Sequence, residues 1–322
     1  ESLRYNTTGY QNTVVGQNSL KANTTGYNNV AIGHSVLENN STGYWNTAIG
    51  NDALNENTTG YGNTAIGEDA LEANTTGNQN VAIGAFSLQT NTTGYRNTSI
   101  GRNAMEYNTT GYGNSATGAY ALRFNTTGID NTADGLGSMY LNTTGSHNTA
   151  IGRGSLSENT TGSYNTAIGK RALDLNVSGN SNTALGYNSG FSNSSGSGNV
   201  FIGYEAGYNE TGSNKLYIDN SNTSTPLIHG DFDTNKVNIN GDMTVTGSLK
   251  ANTFTDSDGN PLMAKNLETG EVILTTTTIQ DTTGSRYVRK DTSTGSIHIG
   301  ENSMVFDDAA GAIGNGSDIM SS

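Results

Sequence analysis

The side chains best suited to contact a ligand are aromatic residues that recur along the chain. They stand at or beside one position of a repeating segment: Tyr10, Tyr27, Tyr44, Trp45, Tyr61, Tyr95 and Tyr112. Exposed rings in a row would suit contact with sugar rings or with another protein surface. The same rings could instead stack on one another and stiffen the turn that carries them, so the sequence leaves both interpretations open.

Other reactive residue types are scattered or absent. Cysteine is absent, and His34, His147, His229 and His298 have no ligand-like spacing. The sequence Asp-Ser-Asp-Gly-Asn at residues 256–260 is similar to a calcium loop, but its glycine stands in the fourth place and no glutamate follows at the twelfth. We therefore predict no catalytic residue, no cofactor and no metal, and expect that the protein is not an enzyme.

Paired threonines form a second regular feature, from Thr7-Thr8 to Thr160-Thr161. Regular threonine arrays on a flat β-solenoid can order water, so ice binding is one interpretation, although these pairs stand in a turn. Each Asn-Thr-Thr is also a glycosylation sequon. Either the protein is densely glycosylated or the match follows from the residues that the turn requires.

The element that positions all of these side chains is a repeat of seventeen residues. Its consensus is N-T-T-G-Y-x-N-T-A-I-G-x-x-A-L-x-x, which we number from position one to position seventeen. Twelve copies begin at Asn6, Asn23, Asn40, Asn57, Asn74, Asn91, Asn108, Asn125, Asn142, Asn159, Asn176 and Asn193, and a thirteenth begins one residue early at Asn209. A short fixed period predicts an all-β, parallel β-solenoid (β-roll) of about twelve coils, roughly 60 Å long.

The residues within one coil predict what lies inside it. Glycine and asparagine suit the corners, and asparagines stacked at identical positions can form a ladder. The leucines of position fifteen should fill the interior. In the strand at positions eight to ten, the alanine lies on the opposite face from its neighbours. Because a methyl-sized residue allows close approach, we predict that the alanines face another chain: Ala31, Ala48, Ala65 and Ala82.

The repeat weakens and then stops. Leucine is replaced by Gly190 and Gly207, and Thr117 and Asp134 stand where isoleucine belongs. Asp134 is a charge in what the pattern predicts to be a core column, which indicates a local site or a half-exposed position at a bent coil. We predict a solenoid at residues 1–212, a β connector at 213–262, and a β-rich region with a Gly/Ser tail at 263–322.

Charge and composition exclude several partners. The net charge of −13, from 28 acidic and 15 basic side chains, disfavours nucleic acid, whose phosphates would be repelled. The chain has no apolar run long enough to span a membrane, so we expect no membrane insertion. It begins at Glu1, which favours a mature form or a fragment.

The segment Asn46-Thr47-Ala48-Ile49-Gly50-Asn51-Asp52-Ala53-Leu54 resembles the S-V-A-I-G-x-x-A-x-A unit of YadA-like trimeric autotransporter heads. This resemblance covers residues 6–208 and implies a left-handed parallel β-roll, three parallel chains packed side by side, and a non-enzymatic adhesin. The chain departs from that family in its longer period. The segment from Leu216-Tyr217-Ile218 to Gly247-Ser248-Leu249 is similar to connectors of phage tail fibres and of repetitive secreted bacterial proteins.

From these features we predict a structural and adhesive fibre, located outside the cell or on its surface. Its expected partners are copies of itself, as a homotrimer or an end-to-end polymer, and a cell-surface glycan or matrix protein. Three alternatives remain at this stage: a tail fibre of a phage or phage-like injection particle, a subunit of a self-assembling surface filament, and an ice-binding solenoid.

Overall fold

A computed structural model describes residues 1–246 and seven short strands beyond them. The strands of residues 1–246 are β1 (Thr13–Val15), β2 (Val30–His34), β3 (Thr47–Asn51), β4 (Thr64–Ile66), β5 (Val81–Ile83), β6 (Thr98–Ile100), β7 (Ser115–Thr117), β8 (Thr132–Asp134), β9 (Thr149–Ile151), β10 (Thr166–Ile168), β11 (Thr183–Leu185), β12 (Val200–Ile202), β13 (Lys215–Ile218), β14 (Ile228–Asp231) and β15 (Lys236–Ile239). The later strands are β16 (Thr253–Thr255), β17 (Pro261–Lys265), β18 (Val272–Leu274), β19 (Thr278–Gln280), β20 (Arg286–Lys290), β21 (Ile297–Ile299) and β22 (Val305–Phe306).

The twelve coils form one parallel β-solenoid, as the period predicts. Each strand from β1 to β11 pairs in parallel with the strand of the next coil, and equivalent residues lie opposite each other, as Ala48 lies opposite Ala65. Between the strands, turns of successive coils are joined by further backbone hydrogen bonds, such as Leu54 N–H to the carbonyl of Ala70 at 3.0 Å. Every coil is therefore bonded to its neighbours around most of its circumference.

The solenoid interior is narrow and holds a small set of side chains from each coil. The leucine or methionine of position fifteen is fully buried, as predicted: Leu20, Leu37, Leu54, Leu71, Leu88, Met105, Leu122, Met139, Leu156 and Leu173. The asparagines of positions one and seven are buried beside them from the second coil onward. Leu54 reaches the interior from a left-handed backbone with φ of 52°, a conformation that costs an L-residue roughly 1–2 kcal/mol. Burial of the side chain offsets that cost.

The predicted role of the alanine column is wrong. Ala31, Ala48, Ala65 and Ala82 are fully buried inside a single chain and belong to the same core as the leucines. The physical reason is volume. Two asparagines and a leucine already occupy the interior of each coil, so only a methyl group fits on the inner face of the strand. An arginine at Ala65 is thus expected to unfold the coil rather than to block assembly.

The opposite face of the strand, which carries the residues of positions eight and ten, points outward. The isoleucines of position ten are more than a third exposed, for example Ile49 at 36% and Ile100 at 39%. This placement also explains Thr117 and Asp134. Both lie on the outer face and are exposed, so Asp134 is not a charge in the core.

In the last coils, substitutions at three interior positions compensate for one another in volume, so the interior stays filled; we call this the compensated exchange. Gly190 and Gly207 replace two core leucines, and Phe201 replaces the alanine of the strand between them. Phe201 is fully buried, and a β-carbon on either glycine would collide with its ring. One large side chain therefore fills the space of two missing ones, so these residues are not a decay of the repeat.

The coils end near residue 212, but the sheet continues. Strand β13 pairs in parallel with β12, and β14 and β15 then add antiparallel strands. The first compact unit runs from Glu1 to Asp242, and a second comprises Met243–Ser322. In the second unit, β16–β18 and β19–β22 form two antiparallel sheets.

The compensated exchange predicts strong coupling between three positions. Phe201→Ala should lower the free energy of unfolding by about 3–5 kcal/mol, because it leaves a large cavity. Gly190→Leu alone should also destabilise, because the leucine collides with Phe201. The triple variant G190L/G207L/F201A recreates the regular coil and should recover most of the loss.

Chemical denaturation followed by circular dichroism measures these effects. Phe232→Ala serves as the control, since Phe232 is 48% exposed. Additive losses in the triple variant would contradict the account, since independent sites add and coupled sites do not.

Candidate functional site

A buried ladder of asparagine amides at position seven holds the coils in register. In a typical step, the backbone N–H and Nδ2 of Asn46 donate to Oδ1 of Asn29, at 3.0 and 3.2 Å, and Nδ2 also donates to the carbonyl of Gly60 at 2.9 Å. The same pattern repeats at Asn63. Each amide is thus saturated with partners, as a buried polar group must be.

A second ladder runs through position one. Asn57 Nδ2 donates to Oδ1 of Asn40 at 2.7 Å and to the carbonyl of Gly60 at 3.1 Å. Gly60 must be glycine, because a β-carbon there would collide with Oδ1 of Asn57. The ladder breaks between Asn176 and Asn193, whose Oδ1 atoms are buried and have no hydrogen-bond partner among the described residues. The break lies one coil before Asn209, where the repeat begins one residue early.

This burial decides how the sequons of the coils are to be interpreted. The nitrogen that would carry a glycan is the Nδ2 atom that makes both ladder bonds. From Asn23 to Asn193 the asparagines of position one are 0% exposed. The Asn-Thr-Thr match therefore follows from the turn, and a folded coil cannot carry a glycan at this position.

The predicted aromatic column exists, and its rings stack on one another. Ring centroids are 5.0 Å apart for Tyr10 and Tyr27 and 4.9 Å apart for Tyr27 and Tyr44, with planes within 4°. Burial and then the charges of Tyr44 and Tyr10 raise the pKa of Tyr27. The stacks Tyr44–Tyr61 and Tyr95–Tyr112 are alike. Tyr27 and Tyr44 have rings on both faces and offer mainly ring edges to a ligand, whereas Tyr10, Tyr61, Tyr95 and Tyr112 each stack on one neighbouring ring.

Trp45 is the one member of the predicted set that stands out from the column. Its indole is 59% exposed and meets Tyr44 edge to face, with centroids 5.2 Å apart. Trp45 and the end residue Tyr10, at 56%, are the members that present a large apolar area to solvent.

The largest regular apolar surface is one that the sequence assigned to the interior. It consists of the outward side chains of position ten, which we call the apolar ridge: Val15, Ile32, Ile49, Ile66, Ile83, Ile100, Ile151, Ile168, Leu185 and Ile202, all between 36% and 58% exposed. Thr117 and Asp134 interrupt it. The threonines and valines of position eight run beside it on the same face of the sheet.

A cluster around Arg123 was not expected from the sequence. Its guanidinium donates to Glu106 at 2.7 Å and to the Tyr140 hydroxyl at 3.0 Å, and lies against the rings of Tyr107 and Phe124. The hydrogen bond that Arg123 donates to Glu106, against the opposing effect of burial, raises the pKa of Arg123. The signal in the sequence was the substitution of ordinary polar residues by aromatic ones in three consecutive coils.

Within the described residues, no group of three or more histidine, cysteine, aspartate or glutamate side chains is placed to hold a metal ion. The described part also contains no helix with the length and apolarity that a bilayer crossing requires. Residues 256–260, the loop similar to a calcium site, lie outside the described residues.

Comparison with known proteins adds no assignment. No family model matches the chain, and neither a curated protein nor a solved structure is similar enough to count as a match.

The ladder geometry predicts the glycosylation pattern. When the chain is secreted by a eukaryotic host, peptide mass mapping of the folded protein should find Asn57 and Asn74 unmodified, because their Nδ2 atoms are buried and bonded. The exposed sequons at Asn209 and Asn222 are the internal control for a competent host. Glycans on Asn57 or Asn74 in folded protein would contradict the ladder.

Proposed function

We propose that this chain is a non-enzymatic, structural and adhesive fibre protein that works outside the cell and associates with copies of itself through the apolar ridge. The observation that carries this proposal is the unpaired outer face of the parallel sheet. Parallel sheets are normally covered on both faces. Here the inner face packs within the coil, and the outer face bears a row of isoleucines that no other part of residues 1–246 covers.

The dimensions of the face support association. Twelve strands, about 4.8 Å apart and about 10 Å wide, make a face of roughly 600 Å². A stable interface buries about 800 Å² per partner, so flanking columns must contribute as well. Exposed apolar side chains gathered on one face and rimmed by polar residues are typical of interaction sites in soluble proteins.

The proposed arrangement of the copies is a parallel bundle in which equivalent coils lie side by side. Three parallel chains, as the resemblance to trimeric autotransporter heads implies, would place equivalent coils at one level and enclose all three ridges. Asp134 is the costly element, because burial of an unpaired charge is strongly unfavourable. The contact should therefore remain hydrated at the level of Thr117 and Asp134. Tail-fibre and filament roles use the same face and differ in what lies at the ends of the rod.

Ice binding is the second candidate, and one observation favours it. The outward face carries threonines in register on flat strands, for example Thr47 opposite Thr64 and Thr149 opposite Thr166. This array is distinct from the paired threonines of the turn. A monomeric protein with thermal hysteresis would favour this function over self-association, because a face that binds ice must be free.

A charge on the apolar ridge should separate the chains without unfolding them. Ile83→Lys places an ammonium in the centre of the ridge, where burial against another chain would be costly. Light scattering coupled to size exclusion should give a multiple of 33.6 kDa for the natural chain and 33.6 kDa for the variant.

Thr76→Lys is the matched control, because it adds the same charge to the same coil on an exposed turn. It should leave the mass unchanged. A natural chain that is monomeric, or an equal effect of both variants, would overturn the proposed role of the ridge.

A further inference from the structure

The aromatic columns of the solenoid have ends, and one end borders a cavity. Phe191 and Tyr208 occupy equivalent positions in the last two coils and stack with centroids 4.8 Å apart and planes within 10°. The next residue of this column would be 225, but the chain has left the coil path by then. Within the described residues, no other ring therefore stacks on the far face of Tyr208.

A cavity of about 240 Å³ lies at this place, between the last coil and the segment that precedes β14. Its lining includes Tyr208, Asn209, Glu210, Tyr217, Asn222 and Thr223. This volume is slightly below the range of sites for drug-sized ligands, so the cavity suits a smaller molecule.

The polar groups around the cavity are held in fixed positions and keep bonding capacity. Glu210 accepts from the Tyr217 hydroxyl at 2.6 Å and from Gly212 N–H at 2.7 Å, which uses one site on each carboxylate oxygen. Asn209 Nδ2 donates to Oδ1 of Asn222 at 3.0 Å. Within the described part of the chain, Oδ1 of Asn209 and Nδ2 of Asn222 have no hydrogen-bond partner.

The charge of the cavity narrows the class of ligand. Burial tends to raise the pKa of Glu210, but the hydrogen bonds from Tyr217 and from the backbone of Gly212 and Thr211 outweigh it and lower the pKa. Glu210 is thus ionised at neutral pH and repels anions. A ligand that suits this cavity has a flat apolar face for Tyr208 and several hydroxyl groups for the carboxylate and the amides, and carries no negative charge.

We propose that this cavity binds a neutral saccharide unit, with the sugar ring stacked on Tyr208 and its hydroxyls bonded to Glu210, Asn209 and Asn222. The site deepens the adhesive role proposed above and rests on it. It is distinct from the predicted tyrosine column, because no ring of that column lines this cavity. A quaternary ammonium group could also pair with a carboxylate and tyrosines. The two amides with free donor and acceptor atoms favour hydroxyl groups instead.

The test uses the full chain and a printed panel of neutral and acidic monosaccharides and short oligosaccharides, followed by calorimetry with the best binder. Binding of at least one neutral sugar, and of no sialic acid or uronic acid, is expected. Tyr208→Ala and Glu210→Gln should each weaken binding tenfold or more. Glu210→Gln keeps the shape of the side chain, so it remains informative if Tyr208→Ala disturbs the last coil.

Tyr204→Ala is the matched control, because it removes a 52% exposed ring from the same coil at a position outside the cavity lining, and it should leave binding unchanged. The inference is overturned if no neutral sugar binds, if tetramethylammonium binds in preference, or if both site variants bind like the natural chain. Light scattering on the same samples reports self-association separately, so loss of the saccharide site and failure of the fibre proposal can be told apart.

Discussion

Hydrogen bonding between buried asparagine side chains is the constraint on which the rest of this structure depends. The interior of each coil is too narrow for a conventional hydrophobic core. It holds two amides beside one leucine and two small residues, such as Ala48 and Ala53. An amide is tolerated there only if its donors and acceptor are paired, because an unpaired buried polar group costs about 1–3 kcal/mol. The partner of each asparagine is the same residue one coil away, so every coil must bring its asparagines back to the same place. Where the spacing slips by one residue at Asn209, the ladder of position one has already broken.

The same constraint explains why the outer face of the sheet is the apolar one. With amides and a leucine inside, the strand of a regular coil can contribute only a small side chain to the interior, and the isoleucine of position ten is left on the outside. A single chain therefore satisfies its polar groups internally and leaves its apolar ridge exposed. This exposed ridge is the observation behind the proposal that copies of the chain associate.

Much of the fold could be predicted from the sequence, because a strict period determines the coil, the number of coils and the ladders. The inward leucines were also predictable from their regularity. The face of the strand that points inward could not be predicted. Alternation shows that Ala48 lies opposite Thr47 and Ile49, but only the volume left by the asparagines shows which face is inside. Gly190 and Gly207 were interpreted as decay because the exchange with Phe201 links positions on different sides of the coil. The cavity beside Tyr208 was not predictable, because it arises where the chain leaves the repeat.

Exchange of the asparagine side-chain amide protons with solvent tests the central claim most directly. Nuclear magnetic resonance of protein labelled with ¹⁵N only at asparagine can follow this exchange after transfer to heavy water. The account predicts two classes: protected side-chain amides from positions one and seven of the inner coils, and rapidly exchanging amides from exposed residues such as Asn209 and Asn222. If all asparagine side chains exchanged at the rate of free amides while the backbone remained folded, the ladders would not exist and the account would be wrong.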